Sequence, residues 1–506
     1  MLENILSLMI FLPIVAGFGV LLLPIKEGMA RLIGFLASAL VFLLGLKIFF
    51  NFSGTGGLEF VQKVPWFESV GISYHLGVDG ISLLVLLAGS CLFPMVYMLL
   101  TTKSKGFYAN LLIAQGAMLG AVAAADMILF YMFWEVMLLP IFFMIGLYGG
   151  PNRLSATLKI TLYTIAGSLF MLAAIIYVGV AYHAQTGIWS FEIAEVTKMS
   201  LTGGAATAAF VFFMLAFAIK IPLFPFHTWL PDAYTEAPTA ATFMLSAVMA
   251  KIGVYAVIRF VLPVFGEDLG RYAIILAYSG VIGMMYCGIA AIAQKDFKRM
   301  LAFSSASHMG IIAVGVFCMN VQALTGTLYQ IVAHATSTGV LFLLLGLIEE
   351  RMETRKIADL GGIAYKAPIF AVFFAIAMLA SVGLPGTSGF IGEFLIILGA
   401  VKFNVVIGVL AGTTLIIGVC YMLWMFQRVF FEKNNDRTDG FKDLTGLETV
   451  TILPVIVLII VMGIYPQPFL AKVTPAAQKQ IASINTVQQA LVDTNVPVLE
   501  QIQEKN

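Results

Sequence analysis

The chain has 506 residues, of which 60% are hydrophobic and only 11% charged, with a mean hydropathy of +0.99 and a net charge of +1. Soluble domains carry about 25% charged residues, so a soluble fold is excluded, and the near-neutral balance gives no sign of nucleic-acid binding. The apolar runs are continuous rather than alternating, which excludes an outer-membrane barrel and leaves an all-α polytopic membrane protein.

The first residues, MLENILSLMIFLPIVAGF, hold Glu3 and no basic n-region, so they read as a retained first span rather than a cleaved signal. At about 20 apolar residues per crossing, spans are predicted near 4–23, 30–50, 80–101, 107–124, 127–148, 155–182, 206–229, 240–261, 272–293, 299–318, 322–348, 367–403, 405–431 and 450–468. That is about 14 transmembrane helices. Loop Lys and Arg residues divide seventeen to eight between odd-numbered and even-numbered loops, the C-terminal tail counted with the even ones. The positive-inside rule therefore makes the odd loops cytoplasmic and puts both termini outside. The connections 51–79 and 183–205 read as short mixed loops, and the polar tail after Pro468 as a surface segment with a short helix. Cys91, Cys287, Cys318 and Cys420 stand singly with no CxxC, so no iron–sulfur cluster or disulfide framework is implied.

Two spans are interrupted. In the seventh, FAIKIPLFPFHTWLPDA sets Pro222 and Pro225 directly after Lys220, and each proline removes a backbone donor. In the twelfth, LASVGLPGTSGFIGEF sets Gly383, Pro385, Gly386 and Gly389 before Glu393. Interrupted spans at matching places in two halves point to inverted repeats with the site at the breaks. The organisation expected is a three-span segment at 1–106, a first five-helix repeat at 107–261 (spans 4–8), an inverted second at 272–431 (spans 9–13), and a last span with external tail at 450–506.

Glu135, Lys220, Lys251 and Glu393 fall inside these apolar spans. A charge at mid-membrane costs roughly 2.5–3.5 kcal/mol, so four oppose insertion by on the order of 10–14 kcal/mol and call for a reason such as a charge pathway. Burial favours the neutral amine and a nearby carboxylate favours the ammonium, so an ion pair of Glu135 with Lys220 would gate a proton. Lys220 alternatively caps carbonyls freed by the break, and Glu393 caps the second half-helix. His308 and His334 suit a relay between lysine and carboxylate, or are satisfied polar groups among Ser304, Ser305, Ser307, Thr336, Ser337 and Thr338. Asp79 reads as a helix N-cap; Asp126, His227, Asp232 and Glu236 read as local structure, and Lys295, Lys298 and Arg299 as topology anchors. Arg259 and Arg428 have no role legible in the sequence.

FYMFWEVMLLP, KIPLFPFHTWLPDAYTEAPTAATFMLSAVMAKIGVY, KDFKRMLAFSSASHMG and LPGTSGFIGEF together resemble the antiporter-like membrane subunits of respiratory complex I, over essentially the whole chain. Within them the resemblance is to the chain M family of bacterial NADH:quinone oxidoreductase, which has an acid at the twelfth-span site where its two sister subunits have lysine. Glu393 matches that pattern. The resemblance implies a proton-translocating subunit in the bacterial inner membrane, with Glu135 and Lys220 as a coupled pair, Lys251 as central relay, Glu393 at the outlet, and His308 and His334 between them. It also implies partnership with the other membrane-arm subunits, including two sister antiporter-like subunits. FMN, iron–sulfur clusters and quinone would then belong to partner subunits, with no cofactor in this chain. Two alternatives are an Mrp-type cation/proton antiporter subunit, which Glu393 disfavours, and a haem cytochrome ligated by His308 and His334, which leaves the four buried charges unexplained.

Overall fold

A computed structural model describes residues 4–99, 104–199, 201–432 and 438–494, with no side-chain description beyond 484; Lys103, Lys433, Arg437 and Lys505 from the charge count lie outside the described residues. The apolar runs form helices in the expected order. They are α1 (Ile5–Leu22), α2 (Glu27–Asn51), α3 (Leu83–Leu99), α4 (Lys105–Ala123), α5 (Met127–Tyr148), α6 (Arg153–Thr186), α7 (Gly204–Lys220), α8 (Trp229–Glu236) and α9 (Thr239–Val264). The second half adds α10 (Gly266–Ile292), α11 (Phe297–Phe317), α12 (Val321–Met352), α13 (Pro368–Ser381), α14 (Ser388–Phe403), α15 (Val405–Phe431), α16 (Gly446–Ile464) and α17 (Gln467–Thr494). Among the described residues eleven helices are long and apolar enough to cross a membrane, and α3, α7 and α13 are apolar but shorter.

Burial sorts these helices. α9, α11 and α12 are almost wholly enclosed by protein, whereas well under half of the residues along the apolar stretches of α1, α2, α15 and α16 are buried. A helix apolar all round lies inside a bundle or against lipid, and here the enclosed ones carry the polar residues. α12 is the centre: α3, α9, α13, α14, α16 and α17 all pack on it.

Several elements depart from the sequence reading. The connection 51–79 is a β-hairpin, β1 (Glu59–Phe67) and β2 (Ile72–Val78), turned by Gly71 at φ +69°. Its alternation was hidden because Pro65 falls inside β1 and the register shifts twice. The tail forms a 28-residue helix rather than a short one, tied to the hairpin base where Lys472 donates to Phe52 O (2.9 Å) and Lys479 to Gly56 O (3.1 Å). α9 contains two π turns, Leu245–Met249 and Val257–Val261. The second has a local cause: Pro263 has no N–H for the carbonyl of Arg259 four residues back. π turns inside helices concentrate at functional sites, and Lys251 lies between these two.

Glu192 fastens the hairpin to the bundle by accepting from Lys63 Nζ (2.8 Å) and Ser73 Oγ (2.9 Å), with His75 Nδ1 3.5 Å away. Asp126 caps α5 through Ile128 N (2.9 Å) and Leu129 N (3.0 Å) and also accepts from Ser73 N (3.2 Å), so its local role holds. Burial alone would raise the Glu192 carboxyl, but Lys63 and Ser73 outweigh it and hold it below its ordinary 4.5; burial pushes His75 below its ordinary 6.5. Both groups therefore bind more protons when detached. Their contribution is complete above about pH 6.5, weakens as His75 protonates below that, and falls further as pH drops through the Glu192 value below 4.5. Amide hydrogen exchange across residues 59–78 is expected to quicken in these two steps, and His75→Gln to remove the first.

Candidate functional site

α7 stops at Lys220 because Pro222 and Pro225 follow, and the helix resumes only at Trp229. The carbonyls freed at its end are taken locally: Trp229 Nε1 donates to Ile219 O (2.8 Å) and Leu223 N to Ala218 O (2.8 Å). Lys220 caps none of them. Its side chain is 1% exposed, and Nζ lies over the Trp134 ring, 4.7 Å from the centroid, an arrangement that stabilises an ammonium.

The expected contact between Glu135 and Lys220 is not made directly. Among the described residues they form no ion pair within 4.0 Å, although Glu135 is near enough to act on the Lys220 charge. The reason is angular: successive helix residues diverge by about 100°, so when Trp134 faces the ammonium, its neighbour Glu135 is turned aside. Glu135 is half-buried, and its Oε1 is enclosed without a hydrogen-bond partner.

The second break runs from Val382 to Thr387, with Gly383 at φ +72° and Gly386 at φ +90°, backbone that favours glycine. Gly383 has a second constraint, since a Cβ there would lie 2.7 Å from Glu393 Oε2. Glu393 does not cap α14. It lies in the second turn, 1% exposed, and Oε1 faces His308 Nδ1 at 2.9 Å and accepts from Gln330 Nε2 at 3.0 Å.

From Glu393 the polar groups continue inward. The His308 and His334 rings are 5.4 Å apart, and His334 is the imidazole on which the Lys251 charge acts. Lys251, 1% exposed, donates to the Ser246 carbonyl within the first π turn; Ser246 Oγ is 3.2 Å from Ser305 Oγ. Thus Lys251, His334, His308 and Glu393 come together across α9, α12, α11 and α14, while Glu135 and Lys220 form a separate group at α5 and α7. His308 Nε2, both His334 nitrogens and Glu393 Oε2 are buried without a protein hydrogen-bond partner.

Other residues acquire roles the sequence left open. Lys298, read from the sequence as a topology anchor, has its side chain turned into the protein, 2% exposed, donating to Ala237 O (2.6 Å) with Glu349 3.6 Å away. Gln330 gave no signal beyond its place on α12, four residues before His334. Asp79 bonds the Ile81 and Ser82 amides as an N-cap does, and also pairs with Arg259. Arg428 stacks over Trp424, 4.2 Å from the ring centroid. Asp232 bridges Lys159 (2.7 Å) and Arg299 (2.9 Å). No group of three or more His, Cys, Asp or Glu able to hold a metal occurs among the described residues.

A helical membrane protein with two broken helices, and with buried acids, bases and histidines grouped near each break, has the features of the antiporter-like class of membrane subunits. The family described as NADH:quinone oxidoreductase/Mrp antiporter, TM, matches residues 124–418. NADH-quinone oxidoreductase subunit M of Rickettsia conorii is 38% identical over 478 residues, covering 92% of this chain and 96% of that protein. A chain of the solved respiratory complex I from Thermus thermophilus with bound NADH superposes with a TM-score of 0.88 at 35% identity, covering 96% of this chain and all of that one. A chain of the Mrp complex from Dietzia shares the fold, with a TM-score of 0.84 at 21% identity over 96% of this chain and 99% of that one. The chain belongs to the NADH-quinone oxidoreductase subunit M family.

Proposed function

We propose that the chain is a proton-translocating membrane subunit of an NADH:quinone oxidoreductase, driven by redox chemistry in other subunits. The observation that carries this reading is the line of buried titratable side chains, Lys251, His334, His308 and Glu393, which runs from mid-bundle to the second helix break. In this reading there are fourteen crossings, each broken pair counting as one, arranged as two inverted repeats in a bacterial inner membrane with both termini outside. FMN, iron–sulfur clusters and quinone belong to partner subunits, and the neighbours include the two sister antiporter-like subunits.

The steps follow from charge. Lys220 holds a proton while Glu135 supports it and gives it up when that support is withdrawn. Lys251 is the next base inward. An ammonium on Lys251 repels a second positive charge on His334, driving a proton toward His308 and Glu393. The unpartnered nitrogens and Glu393 Oε2 supply the hydrogen-bonding capacity that water bridges would use, since buried polar groups lacking protein partners bind water. Likeness to the Mrp chain rests on fold alone, and the sequence identity lies with the oxidoreductase subunit.

Lys220→Ala tests the intake end. In the assembled complex it is expected to lower proton pumping strongly while NADH oxidation by an artificial acceptor stays normal, because that chemistry lies outside this chain. Unchanged pumping would remove Lys220 and its Glu135 gate from the route.

A further inference from the structure

α9 carries more than Lys251. Tyr255 follows four residues later and Arg259 four after that, a spacing that brings successive side chains together along a helix. Tyr255 is fully buried, and its hydroxyl accepts from Arg259 Nε (3.0 Å). The two remaining guanidinium nitrogens grip Asp79 in a bidentate pair, Nη1 to Oδ2 and Nη2 to Oδ1, both at 2.7 Å. Asp79 Oδ1 also accepts from Ile81 N (3.0 Å), Ser82 N (3.1 Å) and Ser82 Oγ (3.2 Å).

A cavity of about 300 Å³ opens on the other side of this pair, between the hairpin base, the α9–α10 junction and α17. Asp79, Arg259, His75, Glu267, Asp268 and Lys479 supply its charged and titratable wall groups. Gln480 of α17 also lines it and donates to Ile258 O (3.4 Å) in the second π turn. All these segments sit at the end of the bundle that the charge rule assigns to the outside. The order inward is cavity, Asp79 with Arg259, Tyr255, then Lys251.

We propose that the Asp79–Arg259 pair plugs an external half-channel that would otherwise connect this cavity to Lys251. Arginine does not deprotonate in proteins and so relays no proton. A carboxylate held by a bidentate guanidinium, and on Oδ1 by two backbone amides as well, must break charge-assisted hydrogen bonds to take up a proton, so Asp79 is a poor landing place for one. Asp79, the carboxylate that pairs with Arg259 between the cavity and Tyr255 among the described residues, is thereby kept out of proton transfer, and protons delivered outside do not return by this route. The inference rests on Lys251 carrying protons, which Lys251→Ala tests separately: normal pumping there would sink that reading, whereas the results below sink the plug alone.

The test is the decay of a pH gradient across vesicles containing the assembled complex. Arg259→Gln, which frees Asp79, is expected to speed the decay several-fold; Arg259→Lys should leak less, and Asp79→Asn with Arg259→Gln should be tight again because the carrier is gone. An Arg259→Gln complex as tight as the wild type, or a double variant leaking as fast as the single, overturns the plug. Removing one partner of a buried pair is strongly destabilising, so a second measurement stands if Arg259→Gln does not assemble. In complexes that retain Arg259, Val264→Cys in the cavity wall should react from outside with a membrane-impermeant thiol reagent, and Ala250→Cys beside Lys251 should not. Reaction at both or at neither overturns the plug.

Discussion

Lys251→Ala is expected to leave an assembled complex whose quinone-linked turnover and proton pumping both fall, by roughly tenfold or more if the lysine works as an acid–base group. Transfer of electrons from NADH to an artificial acceptor should be untouched. The substitution suits the purpose because the fold asks little of this side chain: the ammonium makes one hydrogen bond, to the Ser246 carbonyl, and forms no ion pair among the described residues. Removing it also removes a charge whose burial opposes insertion by roughly 2.5–3.5 kcal/mol. Loss of pumping with unchanged assembly would therefore report on proton handling rather than on packing.

Glu393→Gln should be nearly as harmful, and for a separable reason. The amide oxygen of glutamine can still accept from His308 Nδ1 and Gln330 Nε2, the two partners of Oε1 at 2.9 and 3.0 Å, so the local geometry survives while the ability to bind and release a proton is lost. Glu393→Asp keeps the acid but withdraws it by one methylene from His308, and an intermediate rate is expected. A graded result, with wild type above Asp and Asp well above Gln in proton-pumping rate, marks an acid at work. Equal rates for Asp and Gln would mark a residue that only holds His308 in place.

The sequence revealed those parts of the site whose causes are local. Pro222 and Pro225 end α7 wherever α7 lies, and Gly383 and Gly386 supply positive φ in any setting, so both breaks were legible. Features that depend on how helices turn toward one another were not. Whether Trp134 or Glu135 faces Lys220 is a matter of rotation about the α5 axis. Asp79 and Arg259 lie 180 positions apart, and neither residue announces the other. Lys298 had the spacing of a topology anchor, and only the packing of α11 beside Ala237 and Glu349 makes it an interior group. The hairpin was lost because Pro65 and two register shifts interrupt the alternation by which strands are recognised.

The central claim is that protons cross through the line joining Lys251 to Glu393. The measurement that bears on it most directly is the ratio of protons moved to electrons transferred, for fully assembled complex in sealed vesicles, wild type against Lys251→Ala. A lower ratio is expected whenever residual turnover persists, because electrons then reach quinone without this subunit delivering its share. A ratio equal to the wild type in the assembled variant would contradict it and leave Lys251 a structural residue.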